Sequence, residues 1–158
     1  MANTQSMCTS FMGELMTATH NFGVSPIRAA STADTFKAAL YLASATINAS
    51  TTAYTVSGEV SGAGYSAGGI VVTNATPPTA TNASATAGVA FFTPSASLVY
   101  TSVTLTTAFD AVLIYNSTQS DKAVSVHTFG SQTITAGTFT LTMPANTTST
   151  ALLRLATT

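Results

Sequence analysis

The sequence predicts a mainly β fold, an antiparallel β-sandwich or jelly roll with a short N-terminal helix. Three observations lead there. Short runs rich in Val, Ile, Thr, Tyr and Phe recur between clusters of Gly, Pro, Asn and Ser, the pattern of many short strands joined by turns. Beyond residue 34 no segment of helical spacing separates the runs, which argues against a parallel α/β sheet. The 158 residues, 46% of them hydrophobic, are enough for one packed core. The expected organisation is an N-terminal helix or arm over residues 1–22 and one β-sandwich domain over residues 23–158.

The elements follow in chain order. Met7, Cys8, Phe11, Met12, Leu15 and Met16 recur at helical spacing, so a helix is expected over residues 5–18. Asn3 or Thr4 would cap it, and Gly13 weakens it by about 1 kcal/mol relative to alanine. Residues 34–42 alternate Phe36, Ala38, Leu40 and Leu42 against Lys37, Ala39 and Tyr41, which reads as a strand with one buried face. Residues 69–74 form a second strand. Residues 77–94 begin as a loop and end as a strand near 89–92. Residues 97–107 are rich in β-branched side chains, and 110–116 are almost continuously apolar, as in a central strand. The polar stretch 116–122 is a hairpin connection. Residues 122–130 and 137–144 are strands flanking a loop with Gly130 and Gly137 at its ends, and 151–157 closes the chain.

Charge narrows the function. Charged residues make up 6% of the chain, against roughly 25% in an ordinary soluble domain. The 4 basic residues, Arg28, Lys37, Lys122 and Arg154, are too few for a phosphate-binding stripe or a polybasic membrane patch. Neither nucleic acid nor membrane is therefore expected as a partner. A net charge of −1 does little to keep copies apart, which suits a protein held in an assembly. Residues 1–10 have no basic start and no long apolar run, so no signal peptide is expected. Cys8, the single cysteine, excludes an internal disulfide, and its apolar and hydroxylated neighbours favour a buried thiol.

The stretch EVSGAGYSAGG, residues 59–69, carries Gly62, Gly64, Gly68 and Gly69 around Tyr65. A phosphate loop needs a helix after its glycines, and a Walker loop needs Gly-Lys before Ser or Thr. Here no lysine occurs and a β-branched run follows, so the expectation is a bend or bulge in which Tyr65 covers a core edge or points at a neighbour. Residues 64–68 also satisfy Gly-x-Ser-x-Gly, but a nucleophile elbow needs a helix next. His20 and His127 lack metal-ligand spacing, and Glu59 with Asp110 is the sole pairing that invites comparison with a glycosidase. Asn-x-Ser/Thr sequons at Asn48, Asn82 and Asn116 are expected by chance in so Ser- and Thr-rich a chain. No cofactor, metal or catalytic residue is expected.

Three blocks, DTFKAALYLAS, TTAYTVSGEVSGAGYSAGG and AVLIYNSTQSDKAVSVHTFGSQTITAGTFTLTMP, resemble a family of small proteins encoded among the virion genes of tailed bacteriophages. The resemblance runs from about residue 34 to residue 144, and its first two blocks are the most specific. It implies a virion structural role such as capsid decoration, with the major capsid protein and further copies of itself, in dimers or trimers, as partners. A tail, fibre or adaptor component is the alternative. The contacts are expected at Phe11, Met12 and Leu15 of the N-terminal segment and at Gly62, Gly64 and Tyr65 of the glycine loop.

Overall fold

A computed structural model describes residues 3–8, 11, 15, 19–20, 22, 33–74, 78–81 and 88–156. It is mainly β and antiparallel, in two sheets. The strands are β1 (Ser6–Met7), β2 (Phe36–Leu42), β3 (Ile70–Val71), β4 (Thr79–Thr81), β5 (Val89–Phe92), β6 (Leu98–Asn116), β7 (Lys122–Leu141) and β8 (Leu153–Ala156). The larger sheet runs in the order β1-β7-β6-β2-β3, the smaller in the order β4-β5-β8. Among the described residues no helix is long and apolar enough to cross a membrane.

The hairpin of β6 and β7 is the backbone of the fold. Its strands are 19 and 20 residues long, roughly 60 Å each if fully extended. The sequence suggests four strands here, and the structure corrects this to two. Residues 97–107 and 110–116 belong to one strand, and the expected loop between Gly130 and Gly137 is part of β7. The signals read as breaks are bulges. Register between β6 and β7 shifts at several points, and Ser102 and Ala136 take φ values of 53° and 46°. Each bulge admits extra residues and bends the ribbon without ending it.

The hairpin turn lies where residues 116–122 place it. Asn116 is fully buried, and its Oδ1 accepts from the amides of Thr118 at 3.1 Å and Gln119 at 3.2 Å, an Asx turn. Its Nδ2 donates to Asp34 Oδ2 at 2.8 Å, so the same side chain ties the turn to the entry of β2. Ser120 and Asp121 complete the reversal with φ of 53° and 57°. Both are polar residues, and aspartate tolerates this region better than most.

β2 pairs β6 from Phe36↔Asn116 to Leu42↔Phe109. The expected strand over 34–42 is found, but with both faces covered: Ala38, Ala39, Leu40 and Tyr41 are all buried. β5 lies where expected. β3 is shorter than residues 69–74, and β4 forms within the expected loop of 77–94.

The start of the expected N-terminal helix is corrected too. Ser6 and Met7 form β1, paired with Val126 and Ser125. The remainder of residues 5–18, including Met12 and Met16, lies mostly outside the described residues. Within the expected arm of 1–22, the described apolar side chains pack against the core. Cys8 and Phe11 are buried, and Phe22 stacks on Phe36 at 4.3 Å and meets Phe92 of the smaller sheet at 5.1 Å. Phe22 thereby joins the two sheets. A second aromatic group, Phe109 with Phe129 and Phe139, fills the bend of the ribbon at centroid distances of 5.1–5.9 Å.

Phe109 is completely buried at the centre of that group. Phe109→Ala should destabilise the protein by about 3–5 kcal/mol in urea unfolding, and Phe109→Leu by clearly less. Equal losses from the two variants would contradict a close-packed bend.

Candidate functional site: the glycine loop and its tyrosine-bound carboxylate

The loop over residues 58–69 covers backbone that the strands leave open. β2 ends at Leu42, opposite Phe109, while β6 extends back to Leu98. Residues 58–60 first run beside β2: Leu42 N–H donates to the Gly58 carbonyl at 2.9 Å, and Val60 N–H to the Leu40 carbonyl at 3.0 Å. The chain then crosses to β6, where Thr104 N–H donates to the Ala63 carbonyl at 2.8 Å. Here the glycines are required. A Cβ on Gly62 would lie 2.0 Å from the Thr104 carbonyl oxygen, and one on Gly64 would lie 2.2 Å from that of Ser102. Gly64 also has φ of 78°. The loop lies flat on β6 because nothing projects between the two backbones.

Glu59 fastens the loop. Its Oε2 accepts from the Tyr54 hydroxyl at 2.7 Å. Its Oε1 accepts from the Tyr65 hydroxyl at 2.7 Å and from Gly68 N–H at 2.8 Å. Tyr65 O–H in turn accepts from Leu40 N–H at 3.0 Å, which ties the middle of the loop to β2. The other tyrosines gather around the same place. Tyr100 O–H donates to the Ala38 carbonyl and Tyr115 O–H to the Gly68 carbonyl, each at 2.8 Å. Tyr41 O–H donates to the Thr55 carbonyl at 2.5 Å. Tyr54 stacks on Tyr115 at 4.7 Å and Tyr65 on Tyr100 at 6.0 Å. The chain's 5 tyrosines all belong to this cluster.

Burial holds every one of these phenols neutral. Tyr41 is pushed up to about 12, mainly by burial. Tyr115 also reaches about 12, by burial and then by the charges of Asp121 and Glu59. Tyr54 and Tyr65 are raised further, first by burial and then by the hydrogen bond each gives to Glu59. Tyr100 is raised by burial and the Glu59 charge. A carboxylate that accepts three hydrogen bonds is a clasp, and its lone pairs are directed at groups of its own chain.

The expected contact residues fall in two places. Gly62 and Gly64 lie on the exposed loop, while the Tyr65 ring is half-buried with its hydroxyl turned inward, covering a core edge. Gly64, Tyr65, Gly69, Ile70, Val99 and Tyr100 line a cleft of about 140 Å³. Val99 and the nearby Val71 are exposed, at 43% and 59%. In the N-terminal segment, Phe11 is buried edge-on against His20 at 4.8 Å, and Leu15 is partly buried against the core. Both line a small apolar pocket with Phe22, Phe92 and Leu155. Met12 lies outside the described residues.

The other candidates are kept apart. Asp110 Oδ1 accepts from Asn3 Nδ2 at 2.6 Å and is not joined to Glu59. His20 lies beside Asn116 at 3.1 Å, and His127 Nε2 pairs with Ser125 Oγ at 2.9 Å. Burial lowers His127 to about 4, which keeps it neutral. Among the described residues no three His, Cys, Asp or Glu side chains are grouped to hold a metal ion. Cys8 is buried, as its neighbours suggest. β3 follows the Gly-x-Ser-x-Gly stretch in place of the helix that a nucleophile elbow needs.

In comparison with known proteins, no family model, curated protein or solved structure matches the chain.

Two outcomes follow from the clasp. Each tyrosine has a folded pKa above its ordinary value of 10, so the unfolded chain releases protons first. Stability should be intact below pH 10 and fall as pH rises through about 12. Phenolate absorbance at 295 nm should then rise together with loss of the β circular dichroism signal, and ionisation near pH 10 in a folded protein would contradict it. Separately, Gly64→Ala should cost about 1–3 kcal/mol from backbone strain, with a further loss from its contact with Ser102, measured by thermal unfolding.

Proposed function

We propose that the protein is a bacteriophage capsid decoration protein. It binds the outer capsid surface and stabilises the head by packing and hydrogen bonding, with the major capsid protein and copies of itself as partners. The observation that carries the reading is the clasped, uncharged cleft at the glycine loop, with the exposed Val99 on its rim. A surface fixed in advance loses little conformational entropy on docking. The low charge of the chain fits a partner met by packing and backbone hydrogen bonds. The likeness of residues 34–144 to small virion proteins points the same way.

On this reading a shell protein's apolar side chain enters the cleft beside Tyr65, and the glycine backbone at 62–64 allows close approach. Many copies across capsomer junctions multiply a modest contact, since a standard interface buries about 1,600 Å². The N-terminal segment contributes at the partly buried Leu15, because Phe11 is held in the chain's own core.

Val99→Asp places a charge on the rim without touching the clasp. It should lower occupancy on particles at least tenfold while leaving the melting temperature within a few degrees. Unchanged occupancy would remove the cleft from the contact. Counting copies per virion against the major capsid protein tests the assignment itself: decoration requires copies in proportion to the shell, whereas a handful would indicate a tail or fibre adaptor.

A further inference from the structure

The outer edge of β7 is used for only part of its length. The Val124 carbonyl accepts from Cys8 N–H at 3.1 Å, and β1 pairs with Ser125 and Val126. Farther along, among the described residues, β7 has a strand on its β6 side alone. Residues 130–133, 135 and 136 are exposed, and a Cβ on Gly130 would meet nothing within 4 Å.

Natural edge strands are protected by shortness, by charge, by proline or by bulges that twist the edge away. The free edges of β3, β4 and β8 are 2, 3 and 4 residues long. The free part of the β7 edge, beyond Val126, is much longer, and it carries neither charge nor proline. The sequence has no charged residue between Lys122 and Arg154, and none between Glu59 and Asp110, so the far half of the ribbon is uncharged on both strands. Of the usual protections only bulges are present. Ala136, at φ 46°, interrupts the edge there, and its N–H is already donated to Thr104 Oγ1 at 3.0 Å. The open run is therefore 130–135, GSQTIT, rich in β-branched residues and hydroxyls.

We propose that this run is a pairing edge for a second copy of the chain. Two copies align this run antiparallel about a two-fold axis at Thr133, so that Thr133 faces Thr133 and Ser131 faces Thr135, joining their larger sheets into one. An antiparallel partner of the same sequence is favoured because it brings no like charges together and lets threonines face each other across the seam. About six backbone hydrogen bonds form, at the lower end of what a stable interface carries, which suits a weak, concentration-dependent association. The contact is isologous, uses up both edges and closes at a dimer.

The test needs no particle, so its outcome is separate from that of the virion assignment. Sedimentation equilibrium of the full chain from about 1 to 300 μM should show a monomer–dimer transition. Hydrogen exchange at the amides of 130–135 should slow as concentration rises. The double variant Gln132→Lys, Thr133→Lys sets charges on both faces of the run and should weaken the dimer at least 30-fold without lowering the melting temperature. A wild-type chain that stays monomeric to 300 μM would overturn the proposal, as would a dimer whose 130–135 amides exchange as fast as in the monomer. Should the double variant fail to fold, the exchange of the wild-type protein decides.

Discussion

The pairing of β6 with β7 is the constraint on which the rest of the molecule depends. β2 takes its register from β6, β1 from β7, and the glycine loop from the stretch of β6 that β2 does not reach. Two strands this long would be unstable as an isolated ribbon. Here the ribbon is bent at its bulges, and Phe109, Phe129 and Phe139 fill the inside of the bend. Curvature and core formation are one event: without the bulges those rings would be spread along a flat sheet.

The Glu59 clasp is a second level of order laid on that frame. Desolvating a carboxylate is costly unless its oxygens find donors. In a chain with only 5 acidic residues, placing one beside five phenols is an expensive choice unless all the hydrogen bonds form together. They do: Tyr54, Tyr65 and Gly68 supply three donors, and Tyr65 passes the connection on to Leu40. The result is a loop tied to β2, with its carboxylate and tyrosine hydroxyls turned inward and Gly62 and Gly64 exposed. That division underlies the proposal that the outward surface is a contact and the inward groups its support.

Much of the fold was legible in the sequence, and what was missed has physical causes. The β class, the strand at 36–42, the strand at 89–92 and the turn at 116–122 follow from alternation and turn chemistry. β6 and β7 were each divided in two, because Gly130, Gly137 and the polar threonines look like strand ends. A bulge uses the same residue types as a turn, and only the partner strand tells them apart. Ser6–Met7 read as helix because Met7, Cys8 and Phe11 have helical spacing, whereas the pairing that makes them a strand lies more than a hundred residues away. At the site, the glycine bend was legible, and the inward placement of Tyr65 is one of the two roles the sequence left open for it. The convergence of Tyr41, Tyr54, Tyr100 and Tyr115 on Glu59 was not, since tyrosines spaced so far apart carry no periodic signal.

That distant pairing of β1 also fixes when the molecule can be finished. Ser6 and Met7 leave the ribosome before their partners Val126 and Ser125, more than a hundred residues farther along the chain. The hairpin of β6 and β7 has a short loop to close, and β1 a very long one, so the hairpin has the faster route. β1 cannot pair until β7 has been made, and Phe22 cannot bridge the two sheets until both exist. The pairing of β1 is thus a late step of folding, taken only after the ribbon that receives it has been made.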